Sequence, residues 1–191
     1  MNPQIKAIRE VHKFFTREGI PYVFIGGIAL QWWGEPRFTR DVDVTVLVNL
    51  GEEEKVIRKI LSIFSSRISD AMGFALKNRI CLVRSKDGYE IDISLGIPGY
   101  EEEVIKRTVG CKLEKGYTIK ICSAEDLIIH KAVAGRPQDL GDIESIILRQ
   151  GKKLDMDYIR IWLKEFSDIL EMPEILERFE RPWKQMMEEE R

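Results

Sequence analysis

Histidine is nearly absent: His12 and His130 are the only two among 191 residues, too few and too isolated to build a histidine-based metal centre. Cysteine is scarce as well. Cys81, Cys111 and Cys122 are odd in number, lack CxxC spacing and sit in or beside apolar strand-like runs, which supports neither a disulfide framework nor a zinc site and reads as buried thiols. No apolar run approaches the roughly 20 residues of a membrane helix, and the start MNPQIKAIREV is charged where a secretory signal is apolar. The expectation is a cytoplasmic protein with no membrane partner. An excess of one charge is also missing, since 30 Lys and Arg face 32 Asp and Glu for a net charge of -2. That balance argues against a protein that coats long nucleic acid and leaves room for a local basic patch.

What is present is the composition of an ordinary globular domain, 44% hydrophobic and 32% charged, long enough for one sizeable core or one α/β unit with a helical appendage. Ile5, Ile8, Val11, Phe14 and Phe15 recur at helical spacing over Pro3 to Glu18, with Gly19 and Pro21 as the stop. Tyr22-Val23-Phe24-Ile25 reads as a buried strand, ending in Gly26-Gly27 and a helix through Trp33. A second amphipathic helix is expected over Glu52 to Arg67. Ile80 to Arg84 and Tyr89 to Leu95 read as strands joined by a turn containing Asp87-Gly88. Further on, Gly99 to Thr108 reads as a helix, Tyr117 to Cys122 as a strand, and Ser123 to Asp126 as a capping box opening a helix to about Ala134. From Gln138 onward the chain reads as helical, broken into short pieces by Pro173 and Pro182, with the acidic run Glu188-Glu189-Glu190 as a solvated end.

The chemistry is concentrated on two strands. From Asp41 to Val48 the residues alternate strictly, with Val42, Val44, Val46 and Val48 on one face and Asp41, Asp43 and Thr45 on the other. An i, i+2 pair of carboxylates lies within reach of one hard cation. Alone, this pair reads more readily as two exposed aspartates at a strand start. Asp92 repeats the pattern, sharing a face with Glu90 and Ser94 while Ile91, Ile93 and Leu95 face the core. Upstream, Gly26-Gly27 at a strand-to-helix junction offers backbone N–H groups and a positive helix end to a phosphate. A metal-triphosphate site accounts for all three features together.

These residues resemble the DNA polymerase β-like nucleotidyltransferase superfamily, with its strand, G-[GS], helix, D-x-D strand and third Asp on a later strand. The stretch GGIALQWWGEPRFTRDVDV is especially similar to the AbiEii and MenT-type toxin branch, as is Lys131 ahead of Arg136, Asp139 and Asp142. The likeness covers Tyr22 to Leu148. It implies an α/β (α+β) nucleotidyltransferase fold, a mixed central sheet flanked by helices, with a core over 1–134 and a helical subdomain over 135–191 packed on it. It further implies that Gly26 and Gly27 contact the β- and γ-phosphates. Asp41, Asp43 and Asp92 would hold two Mg²⁺ ions, with Mn²⁺ as the alternative, and Asp92 would sit beside the attacking hydroxyl as general base. Lys131 would neutralise the triphosphate. Position 27 departs from the pattern, being Gly where many members carry Ser, so a hydroxyl toward the γ-phosphate is missing.

Arg37 and Arg40 flank the loop into the D-x-D strand, where each either clamps phosphate or pairs with Asp41 or Asp43; Arg40 is taken as nucleotide-binding. Asp139 and Asp142 either belong to the site or cap their helix. Trp32 and Trp33 point in different directions from one helix, so at least one is expected in the core. The implied activity is transfer of a nucleoside monophosphate from an NTP to an acceptor hydroxyl, with RNA such as tRNA favoured and an antitoxin protein as partner. The alternatives are an aminoglycoside-type small-molecule acceptor and a non-catalytic nucleotide-binding regulator of the same fold.

Overall fold

The computed structural model describes residues 2–114 and 116–189; Glu190 of the acidic run lies outside them. Among the described residues there are nine α-helices and seven strands, and no helix is long and apolar enough to cross a membrane. Contacts divide the chain into two compact units, 1–28 with 38–122, and 29–37 with 123–191.

The first unit is built on one mixed sheet. Its strands are β1 (Tyr22–Phe24), β2 (Asp41–Leu47), β3 (Ser65–Ser66), β4 (Ile80–Arg84), β5 (Glu90–Gly96), β6 (Val109–Glu114) and β7 (Tyr117–Ile121), in the order β3-β4-β5-β2-β1-β7-β6. β2 runs parallel to β5 and antiparallel to β1. The two alternating sequences meet in phase: Val42 pairs with Ile91 and Val44 with Ile93, all fully buried, while Asp41 pairs with Glu90 and Asp43 with Asp92. Slipping this ladder by one residue would set carboxylates against the valines, so core burial fixes the register that gathers the acids.

Helix α1 (Pro3–Glu18) buries Ala7, Ile8, Val11, Phe14 and Phe15, and the Phe15 ring stacks on Tyr22 at 5.5 Å. On the carboxylate face, α5 (Tyr100–Lys106) covers the end of the sheet away from the aspartates. Gly96 approaches it so closely that a β-carbon there would lie 2.7 Å from Glu101 and 3.0 Å from Thr45. Thr45, on the same face as the aspartates, is accordingly buried.

The helix expected to reach Arg67 stops early. Helix α3 spans Glu53–Leu61, and Ser65–Ser66 then form β3 against β4, with the Arg67 amide donating to the Leu82 carbonyl at 2.9 Å. Serines at 62, 65 and 66 favour turns over helix, and burial of Phe64 holds the turned chain down. Two further elements had no sequence counterpart. Helix α4 (Ala71–Asn78), capped by Asp70, buries only Ala75 and so shows no apolar period. Edge strand β6 is interrupted by an irregularity between Lys112 and Glu114.

The second unit is helical. Helix α6 (Ala124–Ala134) is buried on nearly every side, packed by α7 (Pro137–Gln150), α8 (Met156–Leu170) and α9 (Glu174–Glu189). Its N-terminus is capped as expected, Ser123 Oγ accepting from the Asp126 amide at 3.1 Å. Pro182 does not break the chain as expected but lies inside α9. The row Ile175, Phe179, Pro182, Met186 follows helical spacing, and burial of its three large apolar members outweighs the roughly 3 kcal/mol that an internal proline costs. Helix α2 (Gly26–Trp33) contains the division between the units after Ile28.

Candidate active site

Asp41 and Asp43 leave β2 on the same side, and Asp92 leaves the neighbouring β5 beside them. Each offers a carboxylate oxygen, and these oxygens lie within 4.8 Å of one another. All three residues are half-buried. Gathered like charges of this kind must be offset by cations, and hard oxygen donors on two adjacent strands suit a hard divalent ion.

Gly26 forms one wall. It has φ +57°, and a β-carbon on it would lie 2.1 Å from Asp43 Oδ2, so a side chain at 26 and the observed Asp43 carboxylate exclude each other. Gly27 is equally crowded, by a different neighbour: its β-carbon would meet Thr39 Cβ at 2.7 Å and Thr39 Oγ1 at 2.8 Å. The Thr39 hydroxyl donates to Asp41 Oδ1 at 2.8 Å. Tyr89 in turn donates its phenolic proton to the Thr39 carbonyl at 2.9 Å, and burial together with the Asp41 charge pushes that phenol above its ordinary pKa, keeping the proton in place.

Arg67 supplies a resident cation. Its Nη2 lies 2.7 Å from Asp92 Oδ1 and its Nη1 2.9 Å from Glu90 Oε2, with the side chain only 15% exposed. Burial raises the Asp92 pKa; Arg67 opposes that, the Asp41 and Glu90 charges add to it, and the net displacement is upward. Glu90, its side chain 45% exposed, also pairs with Arg84 at 3.3 Å. Arg40 is exposed.

Arg37 belongs to the second unit's cluster of charges. It grips Asp142 through two hydrogen bonds of 2.9 Å, within the second unit. There Lys131 Nζ, 5% exposed, lies 2.8 Å from Asp139 Oδ1 and 2.7 Å from Asp142 Oδ2, and Arg136 closes on Asp139 at 2.7 Å. Burial raises both aspartates, yet hydrogen bonds from Arg136 and Lys131 to Asp139, and from Arg37 and Lys131 to Asp142, hold their pKa values below the usual range. Asp139 also accepts from the Arg136 amide at 3.2 Å, so it caps α7 while pairing with Lys131. Trp33 is half-buried and Trp32 exposed at 42%, so neither is in the core.

The mixed sheet with its glycine wall and three strand-borne carboxylates defines a nucleotidyltransferase fold, and solved structures of that kind superpose on it. An antigenic nucleotidyltransferase-like protein from Paracoccidioides brasiliensis matches with TM-score 0.53 at 14% identity, over 93% of this chain and 92% of that one. The antibiotic-resistance factor ANT(2″)-Ia matches in solution with TM-score 0.55 at 13% identity, over 88% and 95%. Its crystal structure in complex with adenylyl-2″-tobramycin matches with 0.54 at 15%, over 88% and 99%. No curated protein matches the sequence. The family model of the nucleotidyl transferase AbiEii toxin, type IV toxin–antitoxin system, matches residues 15–189. The chain belongs to that family and is a nucleotidyltransferase.

Proposed function

We propose that the protein transfers a nucleoside monophosphate from a metal-bound NTP to an acceptor hydroxyl, RNA such as tRNA being the favoured acceptor, as the toxin of a toxin–antitoxin pair. The observation that carries this reading is the convergence of Asp41, Asp43 and Asp92 beside the Gly26 wall. The donor set fits divalent ions, Mg²⁺ or Mn²⁺, and the reading places two of them on the three aspartates. When bound, such ions stabilise the charge on the attacking and leaving oxygens of an in-line displacement.

The chain's own residues do the rest. The backbone at Gly26 and Gly27 receives the phosphates, and exposed Arg40 adds positive charge. Asp92, beside the attacking hydroxyl in the family pattern, takes the proton of the acceptor hydroxyl. The freed oxygen bonds to the α-phosphorus, the bond to the bridging oxygen of the β-phosphate breaks, and pyrophosphate leaves. For Lys131 the family resemblance implies a role in charge neutralisation, carried by a cation that already holds two aspartates. An antitoxin partner and a cytoplasmic setting belong to the same reading, supported by the toxin–antitoxin character of the family.

A second reading, a small-molecule acceptor, is favoured by the likeness to ANT(2″)-Ia, crystallised with adenylyl-2″-tobramycin. One experiment separates the two. Each α-labelled NTP is incubated with Mg²⁺, the protein and either total tRNA or tobramycin. Label on tRNA, absent with Asp92→Asn, is expected; label on tobramycin alone selects the second reading, and no transfer or pyrophosphate release with either acceptor contradicts both.

A further inference from the structure

The missing side chain at position 27 makes room for a neighbouring threonine. Thr39 occupies the volume that a side chain on Gly27 would need, its Cβ, Oγ1 and Cγ2 all within 3.0 Å of a β-carbon built there. A serine at 27 and the observed Thr39 are therefore mutually exclusive, and Gly27 is the residue that admits Thr39. The threonine is 7% exposed, its carbonyl is fixed by Tyr89, and its hydroxyl lies 2.8 Å from Asp41 Oδ1 and 3.2 Å from the Asp41 carbonyl oxygen, the carboxylate being the nearer and the charged acceptor.

We infer that Thr39 is a positioning residue: its hydroxyl, admitted by the missing side chain at Gly27, locks the Asp41 carboxylate in the orientation that binds a divalent ion. The inference rests on the metal-site reading above. An aspartate at the start of a strand has several rotamers open to it, and like charges on Asp43 and Asp92 would push its carboxylate away. A hydrogen bond to one oxygen removes that freedom and leaves the other lone pairs for the ion. Partners that orient metal ligands in this way are worth about 10- to 100-fold in metal affinity.

The test is Mn²⁺ binding to the nucleotide-free protein, measured alone and followed by unfolding temperature for each variant. Thr39→Val keeps the shape and loses the hydroxyl; it is expected to bind Mn²⁺ at least about tenfold more weakly. Thr39→Ser restores the hydroxyl and is expected within about threefold of wild type, a rescue that a purely structural role would not produce. Gly27→Ser, which drives Thr39 aside, is expected to weaken binding. Folded Thr39→Val with wild-type Mn²⁺ affinity, or Thr39→Ser as weak as Thr39→Val, overturns the inference while the metal site stands. Failure of the wild-type protein itself to bind Mn²⁺ overturns the metal-site reading, and this inference with it.

Discussion

Asp43 Oδ2 occupies the place where a side chain on Gly26 would begin, 2.1 Å from an ideal β-carbon, in a backbone conformation with φ +57°. Replacing Gly26 by Ala therefore combines a left-handed penalty of about 1–2 kcal/mol with displacement of a site carboxylate. Gly26→Ala is expected to lower stability by at least that penalty and to weaken Mg²⁺-dependent NTP binding at least about tenfold. Chemical denaturation and calorimetry on the same preparation check both effects. Wild-type nucleotide affinity in this variant would show that Asp43 need not sit where it does.

Arg67 and a bound cation answer the same need, offsetting the charge of Asp92 and its neighbours. Arg67→Gln is expected to destabilise the metal-free protein by about 1–3 kcal/mol, because it leaves a partly buried carboxylate without its charged partner. Added Mg²⁺ should then raise the unfolding temperature of the variant by more than it raises that of the wild type. Equal increments for the two proteins would separate Arg67 from the metal site.

Lys131 holds two buried aspartates at once. Lys131→Met leaves them facing each other with Arg37 and Arg136 for compensation, and a loss of about 3 kcal/mol is expected. Combining it with Asp142→Asn should return part of that loss, since the two residues share one network. Additive effects in the double-mutant cycle would contradict the coupling.

The same pair sets an acid limit. Asp139 and Asp142 have pKa values held below those of the unfolded chain, so each contributes stability that is full above the unfolded value of about 3.9 and lost as pH falls through the lower folded value. Denaturation midpoints are expected to drop below about pH 4, and Asp142→Asn to flatten that drop while lowering stability at neutral pH. A wild-type profile unchanged in the variant would remove Asp142 from the account.

The parts of the site legible in the sequence are those carried by period-2 alternation. Val42, Val44, Ile91 and Ile93 had to be buried, and their burial turned Asp41, Asp43 and Asp92 to the other face. Arg67 was not legible: it fell at the end of an expected helix, and what brings it to Asp92 is the antiparallel pairing of Ser65–Ser66 with β4, a long-range contact with no local signature. Thr39 was hidden for a similar reason, because its meaning depends on its distance to Gly27, twelve residues earlier. Pro182 was misread because a local rule about proline was outweighed by burial of Ile175, Phe179 and Met186.

The central claim is a metal-dependent triphosphate site on Asp41, Asp43 and Asp92, and calorimetric titration of each of the four NTPs with and without Mg²⁺ tests it most directly. The account predicts Mg²⁺-dependent binding of at least one NTP to the wild-type protein and its loss in Asp41→Ala/Asp43→Ala. Binding that is indifferent to Mg²⁺ or survives the double substitution would contradict it, as would the absence of binding under every condition.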